Sequence, residues 1–126
     1  MQDRGWWFGA ALSGALVVMA GAFGAHALEG ALAPRLAAAF ETGVRYQAWH
    51  TLALLAVLAW RATTPLVGQR LALGLWAGGM LLFSGSLYAL ALTGMGRWGM
   101  ITPFGGVLLI AGWLALAAAV VRARPG

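Results

Sequence analysis

The chain of 126 residues is 62% hydrophobic and 9% charged, carries a net charge of +5 and contains no cysteine. A soluble domain is nearer half apolar and a quarter charged, so this composition excludes a disordered chain, an ordinary water-soluble fold and every site built on thiolates. All eight basic residues are arginine; they punctuate apolar runs instead of clustering, which speaks for loops between membrane spans and against a nucleic-acid surface.

A bilayer core about 30 Å thick needs about 20 apolar residues per helix. Gly5 to Leu28 is such a run and holds no Asp, Glu, Lys or Arg. Asp3 and Arg4 before it and Ala25-His26-Ala27 near its end imitate a signal peptide, but the run exceeds the about 7–15 residues of an h-region, so a retained helix is expected. The second apolar run, Leu52 to Trp60, is short. Extended upstream through His50, Trp49 and Tyr46 it reaches Pro34, whose missing N–H costs nothing at a helix start. A helix from there to Arg61 would be about 42 Å long, more than the hydrocarbon needs. Its first turns are therefore expected in the interface, or a break near Thr42-Gly43. Leu71 to Leu92 is the third run, with Thr64-Pro65 as its start signal, and Ile101 to Val121 the fourth, with Thr102 as cap and Pro103 in the first turn. The reading is a single all-α domain, a multi-pass bundle of four transmembrane helices over residues 5–28, 35–61, 66–93 and 102–122.

With four spans both termini share a side. That side carries Arg4, Arg61, Arg70, Arg122 and Arg124 against Asp3; the other carries Arg35, Arg45 and Arg97 against Glu29 and Glu41. The arginine excess predicts cytoplasmic termini in a bacterial inner membrane. Trp6, Trp7 and Trp60 would then sit at the inner interface and Trp98 at the outer.

Nineteen glycines provide a packing device, because helices in lipid associate through close backbone contact at small residues. Gly14 and Gly21 in the first helix, Gly74, Gly78 and Gly85 in the third, and Gly105 and Gly112 in the fourth recur on stripes. They predict intramolecular packing, with one stripe available as an oligomer interface.

Polar side chains inside spans need a reason. They gather as His26, Glu41, Arg45, Tyr46, Gln47, His50, Ser84, Ser86, Tyr88 and Thr102. Glu41 and Arg45 form a favourable i,i+4 pair on one face, with Trp49 in reach of Arg45 for stacking. On another face Tyr46, Gln47 and His50 point into the bundle, where their depth predicts an approach to Ser84 and Tyr88. His26 and His50 differ by about 14 Å in depth, measured at 1.5 Å per residue, which argues against a shared metal or haem. With no acid in a span centre, no base beside Ser84 or Ser86 and no further ligands, neither a cofactor nor enzymatic activity is expected.

The strings Gly21-Ala-Phe-Gly-Ala-His26, Tyr46-Gln-Ala-Trp-His50, Leu82-Phe-Ser-Gly-Ser-Leu-Tyr88, Leu92-Thr-Gly94 and Ile101-Thr-Pro-Phe-Gly-Gly106 occur in this order. Together they resemble the YgdD family of small bacterial membrane proteins, whose animal relatives are named transmembrane protein 256. The resemblance covers nearly the whole chain and implies a four-helix inner-membrane protein without an assigned activity. The expected function is structural: an interaction or accessory subunit, as a homo-oligomer or within a larger membrane complex. The alternatives are a transporter or channel component that uses the polar cluster, and a lipid- or quinone-binding protein.

Overall fold

The computed structural model describes residues 1–123, so Arg124 of the charge reading lies outside the described residues. Four long helices follow one another: α1 (Arg4–Phe23), α2 (Pro34–Thr63), α3 (Gln69–Thr93) and α4 (Thr102–Arg122). A π-helical turn, Gly24–Leu28, extends α1, and a 3-10 turn, Gly96–Met100, precedes α4. No strand occurs among the described residues. Three segments, Arg4–Leu28, Gln69–Thr93 and Gly96–Arg122, are long and apolar enough to cross a membrane. The chain is an all-α membrane bundle.

The helices pack in chain order, α1 on α2, α2 on α3 and α3 on α4. Pro34 opens α2 as its composition demands. No break follows at Thr42-Gly43: α2 runs unbroken for 30 residues, about 45 Å, because Gly43 is turned inward under Tyr88 and leaves the helical ladder intact. Thr64 ends α2 instead of starting α3, which begins at Gln69 behind Gly68 in a left-handed conformation (φ 107°). The fully buried Gln69 stitches this turn, accepting from the Leu66 N–H at 2.8 Å and donating to the Thr64 carbonyl at 3.2 Å. Thr102 does not cap α4. It is the first residue of that helix, and its hydroxyl is paired with Ser86 at 2.6 Å, a link between α4 and α3.

The tightest contact in the molecule is between α3 and α4. A Cβ on Gly105 would strike the backbone of Phe83, one on Gly112 the indole of Trp76, and one on Gly79 would come within 2.7 Å of the Leu109 side chain. A Cβ on Gly14, Gly21 or Gly78 would make only ordinary contacts, at 3.7–3.8 Å, with Thr51, Val44 and Leu108. Gly74 and Gly85 meet nothing within 4 Å. The contact stripe of α3 thus runs through Gly78 and Gly79, and the spacing Gly74–Gly78–Gly85 marks a face that only partly touches a neighbour. The largest buried cluster joins Ala10 of α1, Leu54, Val57 and Leu58 of α2, Leu73 and Trp76 of α3 and Leu109 of α4, with Trp6 and Trp7 packed against it.

Asp3 fastens the start of α1 to two other helices. Its carboxylate accepts from Arg61 at 2.9 Å and from Arg70 at 3.2 Å. It sits at φ 59°, which aspartate tolerates better than most residues, and with its side chain committed to the arginines it does not cap α1. Desolvation pushes the carboxyl up, but the two arginine hydrogen bonds and charges together hold its pKa below the ordinary 3.8. A depressed carboxylate contributes stability that is complete above its unfolded pKa and is lost as pH falls through the folded one. The thermal midpoint in detergent should therefore show a component that is flat from neutral pH to about 5 and declines below about 4. That component should be absent from Asp3→Asn; an identical acid decline in the variant would assign it to other groups.

Candidate functional site

The polar residues singled out in the sequence do not form one cluster. They divide into small sets, two of which lie deep in the bundle and join helices to one another.

The first deep set runs between α3, α2 and α1. Tyr88 donates its hydroxyl proton to Gln47 Oε1 at 2.6 Å, and Gln47 Nε2 donates to Ser13 Oγ at 3.0 Å. Thr51 donates its proton to the Met80 sulfur at 3.9 Å, which leaves Ser13 as the donor to Thr51 Oγ1 at 2.7 Å. Each hydroxyl thus gives its proton to the next group, as a polar chain in lipid must, since no water is there to take it. Ser84 lies beside this chain but is used separately, donating to the Gly43 carbonyl at 2.7 Å and so linking α3 to α2.

The second set holds α2 to α4. Trp113 Nε1 can only donate, and it does so to His50 Nε2 at 3.0 Å. The imidazole proton must then be on Nδ1, which donates to the Tyr46 carbonyl at 2.8 Å. His50 is buried, stacks against Tyr46 (interplanar angle 12°, centroids 6.2 Å) and meets Trp76 and Trp113 edge-on. Tyr46 continues this aromatic layer to Phe83 at 4.7 Å.

The remaining residues lie apart. Glu41 and Arg45 form their i,i+4 pair at 2.8 Å, with both side chains exposed. Trp49 packs on Tyr46, ring centroids 5.0 Å apart, so the expected stacking of Arg45 on Trp49 is replaced by an aromatic contact along α2. His26 is exposed on the π-helical turn. Gln47 and Tyr88 meet as their depths predict, whereas His50 turns to Trp113 of α4 because its i−4 carbonyl fixes the ring on that side.

Ser13, Thr51 and Trp113 complete these sets, and none was distinguished in the sequence. A serine and a threonine are common in membrane helices, and the indole of Trp113 reads as an interfacial anchor. Only the i, i+4 placement of Gln47 and Thr51 on one face of α2 hinted at a shared partner. Among the described residues no three of His, Asp and Glu come together as a metal site would require.

Comparison with known proteins places these elements in a family. Residues 20–106, which hold the π-helical turn, all of α2 and α3 and the start of α4, match the family described as "Protein of unknown function (DUF423)". The chain belongs to this family. It is 37% identical over 123 residues to the UPF0382 inner membrane protein YgdD of Escherichia coli K12, covering 91% of this chain and 88% of that one. It is 46% identical over 107 residues to a UPF0382 membrane protein of Haemophilus influenzae, with 85% and 86% coverage. A UPF0382 membrane protein of Staphylococcus epidermidis is 43% identical over 117 residues, covering 89% and 91%. No solved structure matches. The DUF423 match includes Gln47, His50, Ser84 and Tyr88 but not Ser13 or Trp113.

Proposed function

We infer that the protein is a four-span inner-membrane subunit with both termini in the cytoplasm, which works through its lateral surfaces and carries out no catalysis. One observation carries this reading. The hydroxyl, amide and imidazole groups deep in the bundle are bound to one another, Tyr88 to Gln47, Gln47 to Ser13, Ser13 to Thr51 and His50 to Trp113, so none of these is left as a free nucleophile or base. Broad apolar faces remain outside, among them Phe8, Leu12 and Val18 of α1 and Phe104, Val107, Ile110 and Leu114 of α4. They suit lipid and also the flank of another subunit. α2 as the fourth span is supported by its length and by the inward position of Gln47, His50 and Thr51.

Conduction is a weaker reading of the same chain of hydrogen bonds, because it ends on the Met80 thioether, which accepts a proton poorly and has none to pass on. Proteoliposomes of the pure protein are expected to show no proton or solute flux above protein-free vesicles.

Two measurements test the main proposal. A reporter fused after Gly126 should be active only in the cytoplasm, and periplasmic activity would overturn the orientation. Cross-linking in native membranes should give a defined species larger than the monomer. A protein that stays monomeric and alone in membranes and in mild detergent would overturn the subunit reading.

A further inference from the structure

One flank of the bundle stays open, and the cause is the way α1 is held. At the end that bears the termini, Asp3 binds both Arg61 and Arg70, and Trp6 and Trp7 pack onto the buried cluster. Farther along, α1 packs on α2 alone. Between α1 and α3 lies a groove of about 700 Å³, within the roughly 300–1,000 Å³ of small-molecule sites. Leu16, Met19 and Phe23 form one wall, Leu81 and Leu92 the other, and Phe40 part of the floor. No charged residue lines it.

Four polar side chains line this groove, Ser13, Gln47, Ser84 and Tyr88; Ser13 and Ser84 spend their protons on Thr51 and on the Gly43 carbonyl, which leaves Gln47 and Tyr88. Gln47 precedes Arg61 by 14 residues, about 21 Å along the helix. In a hydrocarbon layer of about 30 Å that lies well inside the far boundary, below the depth of phospholipid headgroups. The pair has unused capacity. Gln47 Nε2 has two hydrogens: one bonds Ser13 Oγ at 3.0 Å, and the other has only the Ser13 carbonyl at 3.5 Å, the outer limit of a hydrogen bond. Tyr88 has given its proton to Gln47 and keeps a free lone pair. The groove therefore offers an amide hydrogen to an acceptor inside the hydrocarbon, where few ligands carry one.

The occupant must be uncharged, because the groove has no countercharge, and mostly apolar. A carbonyl must sit in the head, at a depth that a phospholipid ester held at the headgroup level does not reach. The head must also suit a wall of rings and thioethers: Phe40 and Tyr88 lie 5.0 Å apart with Met19 and Met80 beside them. A second membrane helix fits less well, since it would need the gap open along about 30 Å, whereas Asp3 binds α1 to α3 at one end.

We propose that the groove between α1 and α3 binds a quinone-type amphiphile, with a ring carbonyl accepting from Gln47 Nε2 and the apolar tail lying between α1 and α3 toward lipid. This is a binding site, independent of the subunit reading above.

Two glycines of α3 provide the test. Gly85 lines the groove and Gly74 does not, and a Cβ on either meets nothing within 4 Å. Gly85→Leu fills the groove, and Gly74→Leu controls for changes in helix propensity and folding. Each protein is purified in nanodiscs, its bound lipids and quinones are extracted and measured by mass spectrometry, and a decyl-tailed benzoquinone is titrated by calorimetry. Wild type and Gly74→Leu should retain close to one quinone per chain and bind the probe alike. Gly85→Leu and Gln47→Leu should lose at least about tenfold in both measures. Equal binding by Gly85→Leu and Gly74→Leu would overturn the site. Groove-dependent retention of a phospholipid or fatty acid without quinone would overturn the ligand class. A dimer that dissociates in Gly85→Leu, with no small molecule bound to any form, would assign the groove to a second copy and overturn the proposal.

Discussion

Gly105→Ala is expected to separate α4 from α3 and to be the most damaging single-methyl substitution in the chain. The added Cβ would point at the Phe83 backbone amide and Cα, with the Leu82 carbonyl carbon next to it. Backbone cannot change rotamer, so the whole helix must move. That motion disturbs Gly79 against Leu109 and Gly112 against Trp76 on the same interface. It also strains the Ser86–Thr102 hydrogen bond one turn away. Overpacking a well-fitted core costs about 1–3 kcal/mol and more where backbone is struck, so a loss of about 3 kcal/mol or greater is expected for Gly105→Ala. Gly74→Ala provides the contrast: it meets open space and gains up to about 1 kcal/mol of helix propensity. Thermal unfolding in one detergent should rank Gly74→Ala at or above wild type and Gly105→Ala far below. Equal midpoints for the two would refute the assignment of the contact face.

His50→Ala should have the second-largest effect, for two additive reasons. The buried imidazole fills the space between Tyr46, Trp76 and Trp113, and emptying a buried site of that size costs about 2–5 kcal/mol. The Trp113 N–H also loses its acceptor, a penalty of about 1–3 kcal/mol where no other partner is in reach. A loss of at least about 3 kcal/mol is expected, with the α2–α4 contact affected first. A double-mutant cycle with Trp113→Phe separates the two effects. The hydrogen bond should appear as a coupling of about 1 kcal/mol, in line with membrane-protein hydrogen bonds, and the cavity as a greater loss of stability specific to His50→Ala. A coupling indistinguishable from zero would mean that Trp113 finds another acceptor and that His50 is packing alone.

These expectations rest on different layers of information. Composition alone determined the solvent, because a chain with 9% charged residues lacks the polar surface to cover itself in water. Runs of about 20 apolar residues determined the helices, since lipid leaves the backbone no other way to satisfy its hydrogen bonds. Pro34 marked a boundary correctly because proline acts through its own backbone. Thr64 misled because the turn through Gly68 delays the start of α3 to Gln69, and Thr102 because Ser86 claims its hydroxyl.

Pairing across helices was decided by tertiary structure. Periodicity put Gln47 on an inward face but could not choose between partners on α1, α3 and α4. It also grouped His50 with Gln47, although one faces α4 and the other α1 and α3. The glycine stripes have the same origin. A small residue permits close approach but does not demand it, so Gly74 and Gly79 look alike in the sequence. The rotation of α3 against α4, set by Trp76 over Gly112 and Gly105 over Phe83, makes one a contact and leaves the other open. The Asp3 latch follows the same rule: a single acid near a terminus acquires a role only when the fold brings Arg61 and Arg70, 58 and 67 residues away, to its side. Local chemistry and the demands of lipid on a backbone are written residue by residue, whereas the choice among equivalent partners depends on the rotation and offset of whole helices, which no single residue encodes.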